Sequence, residues 1–155
     1  MLKANFITAQ EAAEKIQDGS TLCTIGMTLV SASESILKAI EKRFETVGHP
    51  ADITLVHSCG QSDRKDGIQH LAHEGLVKRI VGSHWGLQPR WMEMIANSQV
   101  EAYCLPQGQI AQLYRSMACG LPGKMSKVGL GTFIDPRVEG GKMNDRTKPL
   151  PDLVD

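Results

Sequence analysis

Short β-rich runs alternate with segments of helical periodicity along most of the chain, and no Asn-Gly or Asp-Gly turn joins two of those runs as a hairpin. This alternation predicts βαβ units: an α/β fold of three layers, Rossmann-like, with a mostly parallel sheet and helices on both faces. The strand candidates are Ser20–Ile25, Asp52–His57, Val77–Gly82 and Val100–Leu105, with a weaker fifth at Lys127–Leu130. Between them lie helical patterns. Thr8 and Glu11 have the spacing of a capping box before Ala12, Ala13 and Ile16. Ile36, Leu37, Ile40 and Phe44 repeat at helical spacing behind Ser33, a candidate cap. IQHLAHEG has room for two helical turns closed by Gly75, and Pro89 suits the first turn of PRWMEMIANS. PQGQIAQLYRSMACG places Ile110, Leu113, Tyr114 and Met117 on one side.

A chain of 155 residues is long enough for one domain with its own core. From Asp135 onward apolar periodicity ends and Pro136, Pro149 and Pro151 appear. The expected organisation is therefore a domain over 1–134 and a polar, Pro-containing tail over 135–155. Lys+Arg and Asp+Glu both total 17, so no net charge draws the chain to nucleic acid, and aromatics at 5% are too few to stack single-stranded bases. Nothing spans a bilayer, and MLKANFITAQEAAEKI has no apolar run of signal-peptide length. Cys23, Cys59, Cys104 and Cys119 are scattered without a CxxC pair, which fits small hydrophobes in a reduced, cytoplasmic protein.

In an open α/β sheet, ligands bind outside the carboxyl ends of the strands. The segments there are Gly26–Ser33, Ser58–Gly67, Gly82–Leu87, Pro106–Gly108 and Gly131–Gly141, rich in Gly, Ser, Thr and Gln. GMTLVSAS enters a helix whose unpaired N–H groups suit an anion, yet it has too few glycines for a dinucleotide fingerprint and no GK[ST] for a P-loop. His70 and His73 in HLAHE can share a helix face, but the order matches no zinc-protease motif, and no metal site is expected. Cys59 with His57 two residues away is the one nucleophile–base spacing, and a Gly-rich loop explains it equally well. Trp91 reads as core, while Trp85 is placed to line a pocket or, equally, an interface. The Gln107 amide, between a strand and a helix, can donate and accept hydrogen bonds at the rim, and Arg115 can pair with an anion.

PQGQIAQLYRSMACGLPG followed by VGLGTFIDPRVEGGKMN resembles the first half of family I CoA-transferases, above all the acetate/propionate type related to succinyl-CoA:3-oxoacid CoA-transferase. Pro106, Gln107, Gly108, Arg115, Gly131, Thr132, Gly140 and Gly141 match the family's motifs. Its early G-G-F-G-x-x-G-x-P-E loop is kept only at Gly26 and Glu34. The resemblance implies an α-type domain that handles acyl-CoA and short-chain carboxylates, with coenzyme A as substrate and neither cofactor nor metal. It implies Gln107, Gly108, Gly26 and Thr132 as substrate-binding residues. The family's nucleophilic glutamate lies in an E-N-G motif of the second half, and no such motif occurs here. The expectation is a chain without a catalytic residue of its own, inactive alone, partnered by a β-type second half and associating as a homo-oligomer. The alternative is a non-catalytic module of related fold binding a small metabolite or sugar phosphate.

Overall fold

The computed structural model describes residues 4–154. Four strands, Thr21–Thr24 (β1), Ile53–His57 (β2), Val77–Gly82 (β3) and Glu101–Cys104 (β4), pair side by side in that order, all parallel. The alternating pleat sorts their side chains into rows. Leu22, Leu55, Ile80 and Ala102 stand in register across one face, and Cys23, Val56, Val81 and Tyr103 across the other.

The first face carries the main core. Against it pack helices Ala9–Glu14 (α1), Glu34–Val47 (α2) and Pro89–Ala96 (α3), and the short 3-10 helix Gly67–Leu71, through Ala13, Leu37, Ile40, Ile68, Leu71 and Trp91. Trp91 is completely buried and its Nε1–H donates to the Ile68 carbonyl at 2.9 Å, so its one polar group is satisfied where water cannot reach. The second face is covered by helix Gln107–Ala118 (α4), whose Ile110 and Tyr114 pack on Val56, Val81 and Tyr103. A chain adding each strand on the same side through right-handed crossovers keeps its connections on one face. The connections between β1 and β4 do so, and α4 is the first helix to change sides.

Local signals explain the element ends. Thr8 and Glu11 close the anticipated capping box reciprocally. Pro89 stands in the first turn of α3, and Gly48 ends α2 in the left-handed conformation. Ser33 precedes α2 but makes no side-chain cap, and the helix of IQHLAHEG is shorter than the pattern implies, ending at Leu71.

One expectation is corrected. Lys127–Leu130 is a turn, not a fifth strand. Gly129 and Gly131 take positive φ, which breaks the extended backbone, and Val128 and Leu130 stay exposed with no strand to pair against. The segment from Asp135 onward, where apolar periodicity ends, lies along the sheet edge. Cys104 N–H donates to the Gly141 carbonyl and Met143 N–H to that of Ala102, so 141–143 runs antiparallel along the outer edge of β4. Asn144 donates its amide to the carbonyls of Ile95 and Val100, and Thr147 is completely buried. Hydrogen bonds from irregular backbone hold this segment, which is why hydrophobic spacing does not report it. Among the described residues, no helix is long and apolar enough to cross a membrane.

Candidate functional site

The carboxyl ends of the four strands share one rim, and the segments leaving them are tied to one another. Thr28 N–H donates to the Gly60 carbonyl at 2.9 Å, and Gln61 Nε2 donates to the Thr24 carbonyl at 2.9 Å. Ser83 Oγ donates to the Ser58 carbonyl at 2.7 Å, and Leu105 N–H to that of Gly82 at 2.9 Å. Tyr114 Oη reaches the carbonyls of both Thr24 and Val56 from α4, at 3.1 and 3.2 Å. Burial drives its phenol up to about 12, so it serves as a neutral donor. The base of the last loop joins the rim at the end of β4, where Gly141 N–H donates to Phe133 O while its own carbonyl accepts from Cys104.

Gly26 opens the first loop. Its φ is 143°, and a Cβ there would stand 2.8 Å from the Val30 carbonyl oxygen, so the turn closed by reciprocal Met27–Val30 backbone bonds accepts only glycine. Gln107 and Gly108 form the exposed first turn of α4, which has no side-chain cap. First-turn N–H groups lack helical partners, and the positive end of the helix dipole adds to them, so this end of α4 can receive a carboxylate or a developing oxyanion. Thr132 is exposed in the last loop. Its hydroxyl donates to the Gly129 carbonyl at 2.6 Å and is therefore engaged within its own turn. Asp135 holds that turn from beneath, accepting from the N–H of Gly131 at 2.7 Å and from Arg137. The Arg137 guanidinium, aided by those peptide bonds, keeps the Asp135 carboxyl well below the usual carboxylate range. Arg115 is exposed near the far end of α4, beside a shallow groove that also involves Lys124.

Beneath the rim lies a polar layer that the sequence did not announce. His57 is fully buried, and Nδ1 faces the Cys59 carbonyl at 2.8 Å. Burial lowers its pKa to about 4, so the imidazole is neutral, with Nδ1–H donating and Nε2 left as a lone pair without a partner. Trp85 is buried edge-on against this ring, centroids 6.0 Å apart, and does not line an open pocket. Gln88 is also fully buried, and with its amide nitrogen turned to the Trp85 carbonyl and its oxygen to Gln61 N–H both ends are satisfied. Buried Gln and His side chains must be hydrogen-bonded, but sequence spacing says nothing about who supplies the partner.

The Cys59–His57 pairing is not formed. The histidine faces the cysteine's carbonyl, and the imidazole in contact with Sγ is that of His84, whose Nε2 lies at 3.8 Å. His70 and His73 do converge, but on carboxylates. His70 bridges Glu34 and Glu41, and His73 Nε2 meets Glu41 at 2.8 Å. Burial opposes protonation of His70, yet the two carboxylates carry its pKa above the ordinary value. Glu34, Asp66 and His70 lie close enough to hold a cation, and Lys38 Nζ already supplies positive charge there, 3.0 Å from Glu34 and 3.3 Å from Asp66. The cluster clips the 3-10 helix to α2.

Comparison with known proteins places this architecture. The sequence pattern of the coenzyme A transferase family matches residues 6–152. The caffeate CoA-transferase of Acetobacterium woodii is 41% identical over 154 residues, which is 98% of this chain and 29% of that protein. One subunit of the probable succinyl-CoA:3-ketoacid coenzyme A transferase of Bacillus subtilis is 28% identical, over 92% of this chain and 58% of that subunit. Among solved structures, the acyl-CoA transferase YdiF apoenzyme of Escherichia coli O157:H7 superimposes with a TM-score of 0.87 at 37% identity, covering 95% of this chain and 28% of that one. The chain thus spans between about a quarter and three fifths of these proteins.

Proposed function

The chain belongs to the coenzyme A transferase family, and from that premise we propose that it forms the amino-terminal, α-type portion of an acyl-CoA:carboxylate CoA-transferase of the acetate, propionate or 3-oxoacid type. In this reading it builds the substrate-side wall of a site whose nucleophilic glutamate comes from a second, β-type portion. The observation that carries it is the exposed, uncapped start of α4 at Gln107 and Gly108, set in a rim knitted from the segments after the four strands. A donor-rich surface of this kind suits the carboxylate substrate and the oxyanion of a thioester under attack.

The chemistry assigns roles accordingly. The partner's glutamate attacks the thioester carbonyl, the C–S bond breaks, and coenzyme A leaves as thiolate, giving an acyl-glutamyl anhydride. The thiolate attacks the glutamyl carbonyl and releases the donor carboxylate, leaving a glutamyl thioester. The acceptor carboxylate reverses these steps, so that no cofactor or metal is consumed. Gln107 donates its amide N–H to the reacting oxygen. The peptide N–H of Gly108 and the dipole of α4 add to it, while Gly26 and Thr132 shape the rim. No glutamate of this chain is proposed as nucleophile. Glu34, which follows the first rim loop, already accepts from Gly67 N–H and pairs with Lys38 and His70.

The test is direct. The purified chain, given acetyl-CoA and propionate, is expected to transfer no coenzyme A, and to do so once a polypeptide carrying the Glu-Asn-Gly loop is added. Turnover by the chain alone would remove the reading.

A further inference from the structure

Cys59 and His84 bring a thiol and an imidazole together from the loops after β2 and β3. His84 Nε2 lies 3.8 Å from Cys59 Sγ and accepts from Gly60 N–H at 3.3 Å. A ring nitrogen that accepts from a peptide N–H carries no proton of its own. The proton of the neutral ring therefore stands on Nδ1, and Nε2 turns its lone pair to the thiol. The glycine between them permits this approach. A Cβ on Gly60 would stand 2.6 Å from Cε1 of His84 and 2.9 Å from Nε2 of Gln88, so a larger residue crowds the imidazole.

The two partners differ in access. Cys59 is only 8% exposed, whereas His84 stands open to solvent. Among the described residues, Cys59 is the one cysteine whose sulfur meets an imidazole. Cys104 Sγ donates instead to the Ser83 carbonyl at 3.3 Å, and desolvation pushes the thiols of Cys104 and Cys23 up. The polar layer beneath the rim also holds unused hydrogen-bonding capacity. Gln61 Oε1 and Trp85 Nε1, in residues 1% and 7% exposed, have no partner, and such buried groups call for one. Gln61 lies two residues from Cys59, and Trp85 follows His84.

A thiol beside a base, under a nearly closed surface, reacts with an electrophile small enough to enter. We propose that Cys59 is a modification site for hydrogen peroxide, with His84 as the base. Cys59 passes its S–H proton to His84 Nε2, and the thiolate attacks one oxygen of the peroxide. The O–O bond breaks, sulfur is oxidised by two electrons to sulfenic acid, and the departing hydroxide takes the proton from Nε2 and leaves as water. The oxygen added to sulfur enters the layer in which Gln61 and Trp85 have an acceptor and a donor to spare. The Gly60 carbonyl accepts from Thr28 N–H, which ties the first rim loop to the residue next to the modified one. None of this depends on the transferase reading.

Peroxide treatment of the reduced 155-residue chain tests it, with dimedone trapping the sulfenic acid and peptide mass spectrometry reading each cysteine. An ordinary thiol is only a few per cent thiolate at neutral pH, so a base that removes the proton raises the rate about ten-fold. Cys59 should therefore be labelled about ten-fold faster than Cys23, Cys104 or Cys119, although Cys23 and Cys119 are exposed. The bulky aromatic disulfide dithiobis(nitrobenzoate) should reverse the order, taking Cys23 and Cys119 first. In concentrated urea, where the pair is gone, the preference for Cys59 should vanish. His84→Gln should slow peroxide labelling of Cys59 about ten-fold. Its melting temperature should stay that of the wild type, since residue 84 is exposed. Labelling of Cys59 no faster than that of the exposed thiols would overturn the proposal. So would a His84→Gln chain labelled at the wild-type rate, or a preference that survives in urea. None of these readouts involves coenzyme A, so failure of transfer and failure of thiol oxidation are separable.

Discussion

The imidazole of His57 fills the space that a side chain at Gly82 would need: a Cβ there would stand 2.3 Å from Nε2 and 2.5 Å from Cε1. The end of β3 can therefore lie beside the buried ring only as glycine. Gly82→Ala should cost about 1–3 kcal/mol through overpacking, read as a lower urea midpoint with unchanged slope. Gly86→Ala, in the same loop and with nothing within 4 Å of its Cβ, should leave the midpoint almost unmoved.

Acid should act through the same histidine. Burial lowers its pKa in the folded chain from 6.5 to about 4. Above pH 6.5 the ring is neutral in both states and adds no pH dependence. Between pH 6.5 and 4 the unfolded chain binds a proton that the folded chain refuses, so stability falls as pH falls. The loss amounts to roughly 3 kcal/mol at the acid end. Urea titrations across this range should show that slope, and His57→Gln should flatten it.

His70 should contribute with the opposite sign. Although burial opposes its charge, Glu34 and Glu41 raise its pKa above the ordinary value. Its contribution is fully present below pH 6.5 and is lost as pH rises through the raised pKa. His70→Gln should cost on the order of 1–3 kcal/mol at pH 5.5 and clearly less at pH 9. Equal losses at both values would show that packing, not charge, holds the cluster.

At the rim, Gln107 is exposed and Gln107→Ala should leave the melting temperature within about a degree, since surface changes are worth little. In the complex with a polypeptide carrying the nucleophile, transfer should fall about 100-fold, the scale for loss of one oxyanion donor. A wild-type rate in the variant would move the donor role away from this residue.

The segment along β4 can be tested through Asn144, whose amide donates to the carbonyls of Ile95 and Val100 at 3.0 and 2.8 Å. Asn144→Ala should cost about 1–3 kcal/mol by leaving acceptors unpaired. It should also expose the chain beyond Asp135 to limited proteolysis. A variant as stable and as resistant as wild type would mean that these hydrogen bonds do not hold the segment in place.

What the sequence determined by itself is what short-range physics controls. Short β-rich runs alternating with segments of 3.6-residue period set the four strands and their helices, the Thr8–Glu11 pair set the start of α1, and Pro89 set that of α3. The placement of Gly26, Gln107 and Gly108 after strands was legible because parallel strands send those segments to one rim. Tertiary structure alone decided the rest. It turned His57 away from the thiol of Cys59 and onto Gly82, buried Trp85 and Gln88 beneath the rim, and laid 141–143 against β4. It also left Lys127–Leu130 without a partner strand. Each of these depends on residues distant in the chain that meet only once the sheet is assembled, and a hydrogen bond or close contact between such residues leaves no period in the sequence.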